Sequence, residues 1–262
     1  MFKKFFLLAL IFASVYAYAQ DGLPSMWGNY DDIRFAPPQT EQPNDFTFAR
    51  LIYNGRLPGF VKNWYTDYPT GDINLVRVLH RLINLDIAQE NRAVLLHDPA
   101  LFKYPLIYSA EVGQIVFDDA DARRMREYFD RGGFWMVDDF WGTDEWNNFE
   151  EVVKKIFPDR TIEDVPLNHP LFHSFHDINK LMQVPNVAYA YSPPGASTWE
   201  QDGYEPQVRG VFDEYGNIQL LILFNTDTMD ASEWADDPKY PQEFAAYAYR
   251  LFTNAVIYAM TH

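Results

Sequence analysis

Cysteine is absent from all 262 residues. This excludes structural disulfides, a thiol nucleophile and a lipid-modified cysteine behind a leader peptide. The fold must be held by its core, and 48% hydrophobic and 17% aromatic content is enough to build one and to exclude disorder. Basic residues are scarce: 21 Lys and Arg stand against 37 Asp and Glu, for a net charge of −16. A surface of that sign repels phosphate backbones and anionic lipid, which argues against a nucleic-acid partner. It favours cations or a basic partner, or simply keeps the chain in solution. Familiar catalytic signatures are missing as well: there is no Gly-x-Ser-x-Gly elbow, no Gly-x-Gly-x-x-Gly phosphate loop, no Walker sequence and no HExxH helix.

One long apolar run is present, at the N-terminus. Lys3 and Lys4 precede a stretch from Phe5 to about Val15, and Ala17-Tyr18-Ala19 follows. Charged, apolar and small residues in that order are those of a secretory signal peptide over 1–19, with cleavage after Ala19 and a periplasmic or secreted product. The run is shorter than the roughly 20 residues of a spanning helix, and no later segment is long and apolar enough to be one. Loss of the leader leaves 19 basic against 37 acidic side chains, a net of −18. Residues 20–45, rich in Pro, Asp and Gln, are expected as an extended arm, and 46–262 as one α/β domain.

Within that domain strands and helices alternate, the pattern of a mostly parallel sheet covered on both faces. Phe46 to Tyr53 alternates as a strand. A loop with Trp64, Tyr65 and Asp67 leads to a helix from about Asp72, with Ile73, Val76, Leu79 and Ile83 as its apolar stripe. Further strands are expected at Ala93 to Leu96 and Pro105 to Tyr108. The central stretch Asp119 to Gly142 reads as a helix, a stop at Gly132 and Gly133, and a buried strand Phe134 to Val137 that ends at Asp138 and Asp139. A helix from about Asp144 to Ile156 follows, then a short strand at Thr161 to Val165. Gln207 to Asp213 and Ile218 to Phe224 form a hairpin at the sheet's edge, and a helix over Pro241 to Met260 closes the chain.

If these strands are parallel, their ends gather Asn54, His97, Asp98, Asp138, Asp139, Asn225 and Asp227 on one rim, where open α/β sheets place their ligand crevice. Asp138 and Asp139 either share a divalent cation or act as base and orienting group; alternatively one caps the helix near Asp144 and the other faces water. His169, His173 and His176 offer imidazoles to a transition metal, or bond to backbone in a turn. Trp64, Trp141 and other loop aromatics stack on a flat ligand, or pack loops. The candidate catalytic and metal set is therefore Asp138, Asp139, His169 and His173. The candidate ligand-binding set is Asp98, Asp138, Asp139, Asn225, Asp227, Trp64 and Trp141.

The segments FARLIYNG from Phe48, LFKYPLIYSA from Leu101, the stretch Gly113 to Gly142, the run Lys155 to Phe175 and LILFNTDTMD from Leu221 together resemble the bacterial domain-of-unknown-function family 4159. The resemblance covers Phe46 to His262. It implies a three-layer α/β/α sandwich similar to class I glutamine amidotransferases, of flavodoxin-like type. Those enzymes attack with a cysteine, so glutaminase chemistry is excluded here by residue type. The resemblance marks Tyr104, Pro105, Gly132, Gly133, Asp138, Asp139, His169, Pro170, His173 and Asp227 without attaching roles to them. Three functions fit: a non-catalytic module that binds a small polar ligand or an envelope protein, a metal-assisted hydrolase of envelope sugar or peptide, or a structural component of an envelope complex.

Overall fold

The computed structural model describes residues 46–56, 64–193 and 195–262, so the expected leader and arm lie outside the described residues. In chain order the elements are β1 (Ala49–Ile52), β2 (Asn54–Gly55), α1 (Thr70–Leu82), β3 (Arg92–Leu95), β4 (Leu106–Ala110), β5 (Ile115–Val116), α2 (Asp119–Asp130) and β6 (Phe134–Asp138). They continue with α3 (Gly142–Ile156), β7 (Glu163–Asp164), the one-turn α4 (Val187–Ala190), β8 (Gln207–Phe212), β9 (Ile218–Phe224), α5 (Thr228–Glu233) and α6 (Gln242–Thr261).

Seven strands form one sheet in the order β3-β1-β4-β6-β9-β8-β7. The first five are mutually parallel; β8 and β7 add on antiparallel. The central strands are buried along nearly their whole length, as near-continuous apolar runs in a two-sided sheet require. The winding reverses between β1 and β4, since β3 joins one flank of β1 and all later parallel strands join the other. That reversal is where the C-terminal ends of such a sheet open a crevice.

Side-chain alternation along β6 sorts the layers. Phe134 and Met136 join Leu251, Phe252 and Tyr258 of α6, while Trp135 packs on Phe149 of α3 and on Phe117. Helices α1, α5 and α6 pack together on the first face, and α2 and α3 on the second. Asp138, the next residue in the even series, thus projects to the α5 side. Helix α2 starts on a reciprocal capping box between Asp118 and Asp121 and stops where Gly132 takes a φ of +88°.

Four expectations change. Ile73 is 44% exposed, because Asp72 rather than Ile73 turns inward to meet Arg50. Asn54 pairs in a separate two-stranded ladder with β5, exposed to solvent. The hairpin is not the sheet edge: β9 lies between β6 and β8, and β7 is outermost. Helix α5, in which the periodicity of six residues is too short to register, follows β9 directly. Among the described residues no helix is long and apolar enough to cross a membrane.

Candidate functional site

Three adjacent strands end in the same unusual way. Glu111 follows β4, Asp139 follows β6 and Asn225 follows β9, with φ of 55°, 55° and 58°. Side chains with a Cβ rarely adopt this left-handed conformation, and holding one there costs on the order of 1–3 kcal/mol. Backbone bonds from rim to rim hold it: Glu111 N donates to Asp138 O (3.1 Å), Asp139 N to Thr226 O (3.1 Å) and Asn225 N to Phe140 O (3.0 Å). Each sharp turn redirects a polar side chain at the strand end.

Asp138 is fully buried and caps α5. Its oxygens accept from Thr228 N (2.8 Å), Met229 N (3.0 Å) and Thr228 Oγ1 (2.9 Å). Burial, reinforced by the neighbouring Asp139, outweighs those donors and pushes its carboxyl up to about 7. It therefore neither faces water nor caps the helix near Asp144. That helix, α3, is capped instead by Asp202, which accepts from Thr143 N and Oγ1 at 2.8 and 2.6 Å, and by Glu145, which accepts from Trp141 N at 2.7 Å.

In front of Asp138 the acids converge. Asp67, Asp139 and Asp227 each offer an oxygen within 4.8 Å of the others, and so do Asp67, Asp230 and Glu233. The fold positions each group. Arg50 on β1, fully buried, grips Asp72 through Nε at 2.9 and 3.1 Å and also donates to the carbonyls of Trp64 and Thr66, fixing the loop that carries Asp67. The Trp141 indole donates to Asp139 (3.1 Å), Asp230 N to Asp227 (3.1 Å) and Val187 N to Asp230.

Among the described residues buried acids outnumber buried bases. Seven carboxylates are buried, at Asp72, Glu111, Asp138, Asp139, Glu145, Asp227 and Asp230, whereas Arg50 is the one buried basic side chain among the described residues. Arg50 is committed to Asp72, at 2.7 Å. Burial and then the neighbouring acids accordingly raise Asp67 and Asp227 well above the usual carboxylate range and Asp230 to about 8. Oδ2 of Asp67 and the hydroxyl of Tyr240, which is 3% exposed, are among the buried polar atoms with no hydrogen-bond partner among the described residues. The field of Asp230, Asp227 and Asp67, after burial, raises the Tyr240 phenol.

The other sequence-derived candidates are distributed differently. Asn225 is used for construction, accepting from Gly142 N (3.0 Å) and donating to Glu205 O (2.9 Å). Asp98 caps a 3-10 turn, and His97 pairs with Asp121 at 2.7 Å, both beside the edge strand β3. Trp64 packs on Tyr65 and Tyr68. The proposed joining of His169 and His173 to Asp138 and Asp139 does not occur. His169 packs on Phe212 and Tyr258, whose hydroxyl accepts from Ile218 N; Phe212 and Ile218 pair at the start of β9, whereas the acids follow its end. Seven residues of strand separate them, roughly 20 Å at about 3.3 Å per residue.

The sequence pattern does not single out Arg50, Asp230, Glu233 or Tyr240, and Asp67 stands in it only as a loop residue. One signal was available: Asp227, Asp230 and Glu233 recur every third residue, a spacing that aligns them along one side of a helix. The chain belongs to the family described as domain of unknown function (DUF4159), whose model matches residues 47–260. No curated protein matches the chain.

Proposed function

We propose that this member of the DUF4159 family is an exported, non-catalytic binding module on an amidotransferase-like scaffold, and that the occupant of its rim is a hard divalent cation. The leader-like order of residues 1–19 supports export. The parallel order β3-β1-β4-β6-β9, which in chain order of those five strands is 2-1-3-4-5, supports a flavodoxin-like scaffold of the amidotransferase type.

The observation that carries the reading is the meeting of Asp67, Asp139 and Asp227 within 4.8 Å, two of them buried. Oxygen ligands stand about 2.3–2.6 Å from calcium, so ligands on opposite sides of an ion are separated by twice that, roughly 4.6–5.2 Å. An all-carboxylate donor set suits Ca2+, Mg2+ or Mn2+ over the softer metals that histidine and cysteine select. Carboxylates crowded together in a largely buried setting either take up protons or bind a cation, because burying charge is costly. Asp138 supports the site from behind: its oxygens are engaged by the α5 N-terminus and it does not reach solvent, so it positions α5 and its acids.

Calorimetric titration of chelator-treated mature protein with Ca2+, Mg2+ and Mn2+ tests this. Binding by the parent and its loss in an Asp139→Asn, Asp227→Asn double variant that still folds is the expected result. A parent that binds none of the three ions at millimolar concentration sinks the reading. Turnover of envelope sugars or peptides by the loaded protein, absent without metal, would replace the binding module with the metal-assisted hydrolase.

A further inference from the structure

We infer that a cavity at the antiparallel flank of the sheet binds a small organic anion, a carboxylate or phosphate group carried on an apolar body. This site uses none of the residues of the acidic rim and stands whether or not the rim takes a cation.

The cavity has a volume of about 440 Å3 and lies between helix α3 and the strands β7 and β8. That is within the size range of small-molecule sites, which pair an apolar lining with a few polar groups that fix orientation. The apolar lining here is Trp146, Val153 and Ile162, and the cations are Lys154, Arg160 and Arg209. They come from α3, from the connector before β7 and from β8, so only the fold brings them together.

Both guanidinium groups line the cavity with donors to spare. Arg209 uses Nε on Asp164 at 3.1 Å, and Arg160 uses Nη1 on the carbonyl of Phe212 at 3.1 Å and on the side chain of Gln219. Among the described residues, the two Nη atoms of Arg209 and the Nε and Nη2 of Arg160 have no hydrogen-bond partner, and none of them is enclosed. The forks are also held in place. Cζ of Arg209 lies 4.3 Å from the centroid of the Trp146 ring, and Cζ of Arg160 lies 5.4 Å from that of Phe157. A guanidinium fixed in this way is pre-organised to meet a carboxylate or phosphate with paired N–H bonds.

The acids nearby do not use up these donors. The side chain of Asp164 is 83% exposed, and a solvent-facing pair such as its bond to Arg209 is worth at most about 1 kcal/mol. Lys154 is met by Glu150 and Glu151 at 2.9 and 3.1 Å, which leaves the anion to the two arginines. Asp159 and Asp213, which feel the charge of Arg160, are bonded to Arg126 and to the backbone of the hairpin turn. The chain as a whole, at −16, repels anions. At physiological salt that repulsion is screened beyond about 8 Å, so the cations in contact decide.

Phenyl phosphate and benzoate are the probes, with benzyl alcohol and inorganic phosphate beside them. Each is titrated into the mature protein and followed by two-dimensional nuclear magnetic resonance at the indole N–H of Trp146, assigned with Trp146→Phe. The expected result is that one or both aromatic anions move this signal at millimolar concentration, and that Arg160→Gln with Arg209→Gln weakens them by about tenfold or more. Benzyl alcohol, which has the ring without the charge, should leave the signal in place. A response to phenyl phosphate alone assigns the site to phosphate esters, and one to benzoate alone assigns it to carboxylates. Silence toward both anions overturns the site. An equal response to benzyl alcohol, or unchanged affinity in the double variant, overturns the role of the arginines. Inorganic phosphate binding as tightly as phenyl phosphate overturns the apolar body. Should the double variant fail to fold, Arg209→Gln alone, which gives up an exposed ion pair and no backbone bond, carries the test.

Discussion

The two ends of the central sheet hold the two groups of residues that the sequence marks most strongly, and they differ in one physical respect. At the hairpin end, the histidines have what they need. His169 Nδ1 accepts from Leu171 N at 3.2 Å, and both ring nitrogens of His173 are engaged, by Asp177 and by the carbonyl of Leu167, each at 2.9 Å. At the other end, carboxylates are packed against carboxylates beside strand ends held in the left-handed conformation, and the one buried guanidinium among the described residues is committed to Asp72. Chemical type alone made both groups candidates; satisfaction of charge and hydrogen bonds tells them apart. A settled end serves the fold. An end where buried acids crowd one another retains capacity for a ligand.

Breaking the support of the acidic end should have the largest effect. Arg50→Met leaves Asp72 buried without its partner and releases the loop carrying Asp67; a loss of about 3–5 kcal/mol is expected by chemical denaturation. Adding Asp72→Leu should recover much of that stability without restoring cation binding. If Arg50→Met alone costs less than about 1 kcal/mol, the ion pair is not what holds the loop.

Supplying a divalent cation to the acidic end comes next. Calcium at about one hundred times its dissociation constant should stabilise the parent by about 2.7 kcal/mol, read as a rise in melting temperature over chelator. The Asp139→Asn, Asp227→Asn variant should show no rise.

Protons should partly substitute for the cation. Carboxyls raised in the folded state keep a proton that the unfolded chain, with values about 4, releases. Their contribution is full below about pH 4 and is lost as pH rises through about 7 for Asp138 and about 8 for Asp230. In chelator, the melting temperature should therefore fall by several degrees, roughly 2–4 °C per kcal/mol, between pH 5.5 and pH 8.5. Saturating calcium should reduce or reverse that fall. An unchanged slope with calcium separates the titrating acids from the cation site.

The smallest effect should come from the hairpin end. His169→Ala removes the acceptor for Leu171 N and should cost about 1 kcal/mol, and His173→Gln less, with calcium affinity unaltered in both. A changed affinity in either variant would erase the contrast between the two ends.

Much of the domain was legible in the chain. The strand Phe134–Asp138 and the helices on either side of it follow from runs and periodicities of a few residues, and Gly132 marks a stop because its φ is open to glycine at little cost. Asp139 and Asp227 were visible as strand-end acids. Arg50 was hidden by its charge, since a basic residue in an apolar alternation reads as a solvent-facing position, whereas here Asp72 and two carbonyls pay for its burial. Glu233 and Asp230 were hidden by the shortness of α5, whose start is held both by its own N-cap Asp227 and by Asp138 from another strand.

The order and kind of the elements were thus determined by the sequence itself, because periods of 2 and 3.6 residues and the preferences of turns are local properties of the chain. Which acids meet was decided by the tertiary structure. The β1, β4, β6 and β9 ends are neighbours only when the sheet winds in its observed order, and Asp67 reaches them only when Arg50 draws its loop over the rim. Both depend on burial and charge pairing between residues far apart in sequence, to which local periodicity is blind.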